Sequence, residues 1–156
     1  MRIIVVAVGQ RMPAWVNTAW AEYARRFTRG FSLELREVPA IKRTRNAETE
    51  VILRKEGDAL LAAVPGSAHL IALDENGTQW STADLAGQMK GWMRAGRDIV
   101  FLVGGPDGIS GQCLERVEQR WSLGRLTLPH PLVRIVLAEQ LYRAWTITRN
   151  HPYHRN

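Results

Sequence analysis

Residues 3–8 read Ile-Ile-Val-Val-Ala-Val, an unbroken apolar run that stops at Gly9. Successive side chains of a strand point to opposite faces, so such a run has no face to offer to water. It suits a strand covered on both sides, the situation of a parallel sheet between layers of helix. His69–Asp74 and Asp98–Val103 repeat the pattern, and Phe31, Leu33 and Leu35 alternate with polar residues as a half-exposed strand would. Residues 121–128 make a short fifth strand or an extended loop.

Between the strands lie stretches of helical period. Pro13 opens one, with Trp15, Ala19, Tyr23 and Phe27 on its inner face and an end near Gly30. Asn46–Ala63 is a second, with Val51, Ile52, Ala59 and Leu60 as apolar members. Ser81 caps a third, Thr82–Ala95, which Gly96 terminates. A fourth starts at Ser110 or Gly111 and runs to about Arg120. A last long helix follows Pro131 and reaches about Asn150. Asn76-Gly77 reads as a tight turn after the third strand. Alternating strands and helices imply an α/β fold, a three-layer sandwich with a mainly parallel sheet. At 156 residues the chain suits one domain, 1–156.

Charge narrows the partners. Lysine and arginine total 21 against 15 acidic residues, a net +6 that attracts polyanions. Residues 42–46, Lys-Arg-Thr-Arg-Asn, form a basic loop and a candidate phosphate contact. The single cysteine, Cys113, excludes an intramolecular disulfide and points to a reducing, cytoplasmic compartment. No CxxC pair and no histidines at ligand spacing occur, so no metal is expected. No apolar run has the ~18 residues of a membrane span, so no membrane partner is expected.

Ligands of open α/β sheets bind beyond the carboxyl ends of the strands. There the chain carries Phe-Leu-Val-Gly-Gly-Pro-Asp-Gly-Ile-Ser-Gly, with Gly104, Gly105, Gly108 and Gly111 close together. Glycines so dense imply that something approaches the backbone. The run is neither a Walker loop nor a dinucleotide fingerprint. Leu73, Leu123, Leu126 and Leu128 can wall a pocket at the same strand ends. The last helix is apolar almost all round, with Glu139, Gln140, Arg143 and Thr146 as its polar positions, so it needs cover on two sides. A second subunit can supply the outer cover. Arg134 points with that apolar face. It either snorkels to solvent or serves an anionic substrate or a carboxylate across an interface. The tail concentrates His151, Tyr153, His154 and Arg155, groups that stack on bases and pair with phosphates. On these features an enzyme and a non-catalytic RNA-binding protein are both open.

Three stretches carry a resemblance: Leu-Val-Gly-Gly-Pro-Asp-Gly at 102–108, residues 121–145, and Asn-His-Pro-Tyr-His-Arg at 150–155. With them the chain resembles the SPOUT superfamily of methyltransferases. Within it, the chain is similar over its whole length to the bacterial family that methylates N3 of a pseudouridine in 23S rRNA. The resemblance implies a deep trefoil knot near the C-terminus, a homodimer, and S-adenosylmethionine as cofactor. It implies cofactor contacts at Leu73, Gly104, Leu123, Gly124, Arg125, Leu126, Thr127 and Leu128. The family motif has serine where this chain has Gly124. For the implied reaction His154 and Arg155 are the catalytic candidates, reaching the pocket of the partner subunit, and Arg134, His151 and Tyr153 the substrate-binding ones. A SPOUT enzyme acting on tRNA or on a different rRNA base shares the cofactor motifs.

Overall fold

A computed structural model gives the fold; residues 1–28 and 30–155 are described. Arg29 and Asn156, within the expected first helix and the tail, lie outside the described residues. The elements are β1 (Arg2–Val8), α1 (Ala14–Ala24), β2 (Ser32–Val38), α2 (Thr49–Ala62), β3 (His69–Gln79), α3 (Thr82–Ala95), β4 (Ile99–Val103), α4 (Gly111–Arg116), β5 (Gln119–Ser122) and α5 (His130–Thr148). The strands form one sheet in the order β2-β1-β4-β3-β5, and every pairing is parallel.

The apolar run of β1 divides between two cores, as the period of a strand demands. Ile3, Val5 and Ala7 join α1, α3 and α5 through Trp20, Leu85, Met89, Leu137 and Leu141. Ile4, Val6 and Val8 join Val100, Leu102 and Leu60 of α2 on the other face. The result is the expected three-layer α/β sandwich.

Local readings hold where the residue chemistry is strong. Ser81 accepts from the Asp84 amide and Asp84 answers the Ser81 amide, a capping box, and Gly96 ends α3 in the left-handed region at φ 70°. Three elements differ. The helix α1 stops at Ala24, and its buried stripe is Val16 and Trp20, leaving Trp15 53% exposed. The fourth helix ends at Arg116, because residues 119–122 pair with β3 as a strand. Asn76-Gly77 does not end β3; the strand bulges between Leu73 and Thr78 and re-pairs, Thr78 opposite Trp121. A Cβ on Gly77 would sit 2.7 Å from the Arg120 and Trp121 backbone, so this crossing admits only glycine.

Candidate active site

A cavity of about 710 Å³ opens at the carboxyl ends of β3, β4 and β5. Leu73, Gly104 and all of Leu123, Gly124, Arg125, Leu126, Thr127 and Leu128 line it. Three segments far apart in the chain thus converge on one space. Residues 123–128 belong to neither a helix nor a strand. The amides of Arg125, Leu126, Thr127 and Leu128 have no protein partner among the described residues. The indole N–H of Trp121, on the same wall, is buried without a hydrogen-bond partner among them. Arg125, Leu126 and Thr127 are exposed, so the amide donors of this stretch are open to a ligand, whereas the Trp121 indole packs against Trp80 and Phe101.

The glycines of the 104–108 loop answer to their own chain first. Gly108 donates to the Gly105 carbonyl at 3.0 Å, with φ 85°. A Cβ on Gly104 would fall 2.2 Å from the Gly108 oxygen, so the loop closes on itself only with glycine there. Gly124 stands at φ 140° with open space beside it. An L side chain rarely adopts that backbone, so the family's serine would need a different local conformation. Ser122 holds the turn instead, its hydroxyl donating to the Gly124 carbonyl at 3.1 Å.

The first residue of α5, His130, also faces the cavity. Its Nε2 accepts from Arg134 Nε at 3.1 Å. Burial and the Arg134 charge push its pKa below the ordinary value of 6.5. The imidazole is therefore held neutral, an acceptor toward arginine. Arg134 itself does not meet the expectation of a substrate-facing or cross-interface cation. It is fully buried within its own chain, donating to Glu37 Oε2 at 2.5 Å and to the Gly9 carbonyl at 2.6 Å. With carboxylate, carbonyl and imidazole all satisfied, the guanidinium locks α5 to the ends of β1 and β2. His130 could have been found from Arg134: the two stand at i and i+4, on one side of a helix.

The tail lies elsewhere. Tyr153 packs its ring on Tyr142 at 4.7 Å, edge to face, with the Arg143 guanidinium 4.9 Å from its centroid. Its hydroxyl donates to Glu139 at 3.2 Å, and burial beside that carboxylate raises its pKa to about 12. His151 accepts from the Tyr153 amide through Nδ1. His154 is half-buried and Arg155 exposed. The tail folds back along α5 as far as Glu139, and none of its residues is among those that line the cavity. Within one chain the structure does not bring His151, Tyr153, His154 and Arg155 to the cavity.

Among the described residues no group of three or more His, Cys, Asp or Glu is gathered as metal ligands. No helix of the described residues is long and apolar enough to cross a membrane.

An all-parallel sheet with a glycine-walled cavity at its carboxyl edge is the architecture of a nucleotide-type ligand site. Comparison with known proteins defines the class. The family model described as "Predicted SPOUT methyltransferase" matches residues 1–154, and the chain belongs to that family. A relative from Methylococcus capsulatus (strain Bath), named ribosomal RNA large subunit methyltransferase H, is 56% identical over 155 residues, covering 99% of this chain and 100% of its own. A second of the same name, from Thioalkalivibrio sulfidiphilus, is 53% identical over 99% of both chains. Among solved structures, a probable methylase family protein from Haemophilus influenzae Rd KW20 superposes with a TM-score of 0.53 at 11% identity, over 99% of this chain and 70% of that one. That likeness concerns the fold.

Proposed function

We propose that this chain is an S-adenosylmethionine-dependent methyltransferase acting on N3 of a pseudouridine in 23S rRNA of the large ribosomal subunit, and that it works as a cytoplasmic homodimer. The carrying observation is the convergence of Leu73, Gly104 and residues 123–128 on one cavity, in a chain of the SPOUT methyltransferase family. The names of the relatives support the RNA. Residues 1–156 act as one domain. Membership of the SPOUT methyltransferase family is what supports the trefoil knot.

The cavity fits the cofactor in size and chemistry. Drug-sized and cofactor sites run about 300–1,000 Å³ with mostly apolar walls and a few placed polar groups. Leu73, Leu123 and Leu128 supply the walls, and the amides of Gly104 and of residues 125–128 supply the polar groups. Bound there, the cofactor contributes a methyl group on a positively charged sulfur. The chain's own work is to orient the two reactants, a contribution on the order of 7–11 kcal/mol at best. The imide N3 must lose its proton as it becomes nucleophilic. Arg155 favours the anion by its charge, and His154 accepts the proton.

The separation of tail and cavity supports the dimer, since His154 and Arg155 serve a cavity only if it belongs to a second copy. Trp15 and Leu132, exposed at 53% and 40% near the starts of α1 and α5, offer an apolar surface for that copy. His151 and Tyr153 hold the tail and present it to the RNA.

The deciding experiment incubates the protein with methyl-labelled S-adenosylmethionine and ribosomes, then maps the labelled nucleoside. Label on N3 of a 23S pseudouridine is the expected result; label in tRNA would reassign the substrate. RNA bound with no label transferred would leave a non-catalytic binder. Separately, cofactor at ~100 times its dissociation constant should add about 2.7 kcal/mol of stability. For this size that is a melting shift of about 5–10 °C. A shift with ATP or NAD and none with S-adenosylmethionine would overturn the cofactor.

A further inference from the structure

The loops that follow β1 and β2 emerge on the same edge of the sheet as the cavity. Each is tied to the cavity wall by one inward-facing arginine. Arg134 bonds the Gly9 carbonyl at the root of the first loop and His130 on the wall. Arg43, in the second loop, donates to Asp107 at 2.8 Å and to Glu56 at 2.7 Å. Asp107 lies between Pro106 and Gly108, both on the cavity wall. Glu56 is 2% exposed, and a Cβ on Gly105 would stand 3.2 Å from both Arg43 Nη2 and Glu56 Oε2. The wall therefore rests on this ion pair.

The other cations of these loops are used differently. Arg11, Lys42 and Arg45 are exposed, and no ion pair or hydrogen bond engages them among the described residues. Among the described residues Arg54, Lys55 and Arg116 are exposed without an ion pair as well, so what sets Arg11, Lys42 and Arg45 apart is their place on loops at the carboxyl edge of the sheet. Cations left unpaired on loops whose bases are clamped to the cavity form a preorganised anion-binding rim, where ordering costs little on binding.

We infer that Arg11, Lys42 and Arg45 form a docking rim for the phosphodiester backbone of the RNA substrate, and that the Arg43–Glu56–Asp107 and Arg134–His130 contacts fix its distance from the cavity. The inference rests on the methyltransferase reading above and adds the surface that aligns the substrate. Phosphate contacts of this kind set register and orientation and carry no sequence information, which suits an enzyme whose target is chosen at the cavity.

The test compares wild type, the triple variant R11Q/K42Q/R45Q, and a control, K90Q/R94Q/R116Q. The control removes the same charge from the second half of α3 and the end of α4. Each protein is assayed for binding to a 23S rRNA fragment across a salt series, for kcat and KM on ribosomes, and for melting with and without S-adenosylmethionine. Each phosphate contact contributes a slope of about 0.7 in log affinity against log salt on single strands. The triple variant should lose about 2 from that slope and raise KM on the order of tenfold near 0.1 M salt. Its kcat and cofactor-induced melting shift should match wild type, and the control should keep the wild-type slope and KM. Equal losses in the triple variant and the control would overturn the rim, because the effect would be net charge alone. Wild-type slope and KM in the triple variant would overturn it outright. So would binding of phosphatidylglycerol–phosphatidylcholine vesicles that falls in the triple variant while RNA binding does not. If wild type methylates no RNA, the parent reading fails by itself, and the salt slope still decides the rim.

Discussion

The two ends of α5 are built on different physics. At its start, one buried guanidinium collects a carboxylate from the end of β2, a carbonyl from Gly9 just after β1 and an imidazole from its own helix. At its end, an aromatic cluster does the holding: Tyr153 on Tyr142, with Arg143 and Arg26 against the same ring. The first end is directional, dry and intolerant of change, as a wall that must present groups at fixed positions requires. The second is an adaptable, half-buried contact that keeps a short tail in place while leaving Arg155 in solvent. The lesson is a division of labour: one end of the helix shapes a cavity, and the other anchors a short tail, which in the function proposed above serves the cavity of a second copy.

Breaking the first end should have the largest effect. Arg134→Met leaves Glu37 and the Gly9 carbonyl without their cation. Loss of one partner from a buried pair costs about 3–5 kcal/mol, and because Glu37 is 30% exposed the low figure applies. Thermal denaturation should show Tm lower by about 6–12 °C. Unchanged melting would mean that the guanidinium is not what joins α5 to β1. Removing the second end should spare folding and remove chemistry. Truncation after Asn150 should keep the cofactor-induced melting shift and lower methyl transfer at least ~100-fold, equivalent to about 2.7 kcal/mol. Full activity in that protein would take the tail out of the mechanism. Mixing it with a Gly104→Val protein, whose 104–108 loop cannot close as a cavity wall, should restore part of the activity if tail and cavity come from different copies.

Finer changes sharpen the contrast. Tyr153→Phe removes only the hydrogen bond to Glu139, so about 1 kcal/mol and a shift of a few degrees are expected by calorimetry. The smallest effect is a pH dependence. His130 holds fewer protons folded than unfolded, because its pKa is lowered in the structure. Its contribution is therefore complete above its ordinary value of 6.5 and is lost as pH falls from there through the lowered value. His130→Gln should flatten that part of the stability–pH curve relative to wild type, measured by urea denaturation at several pH values. An unaltered curve would show that the imidazole does not titrate against Arg134.

Much of the architecture was legible because it follows from patterns that a backbone cannot evade. Ile3–Val8 had to be covered on both faces, and Ser81, Asp84 and Gly96 carry their helix ends in their own chemistry. Sequence misled where a distant partner decides the outcome. Gly77 resembles a turn glycine, yet it is glycine because β5 crosses against it. Trp15 belongs to an apolar stripe by period, but the sheet takes Val16 and Trp20 instead. Thr146 reads as polar surface and is fully buried, its hydroxyl returned to the Arg143 carbonyl at 2.7 Å. The cavity wall was foreseeable from strand ends and family motifs. The partners of Arg134 were not, since Glu37 and Gly9 carry no local mark of their role.

Those partners carry a consequence for biogenesis. Arg134 lies 97 positions after Glu37 and 125 after Gly9, and β1 completes its pairing only when β4 has been made. Contacts this distant along the chain slow folding, because the intervening segment must be brought to order before they form. During synthesis the amino-terminal half waits, incomplete, for the last helix to leave the ribosome. The cavity therefore comes into being only after α5 has been made.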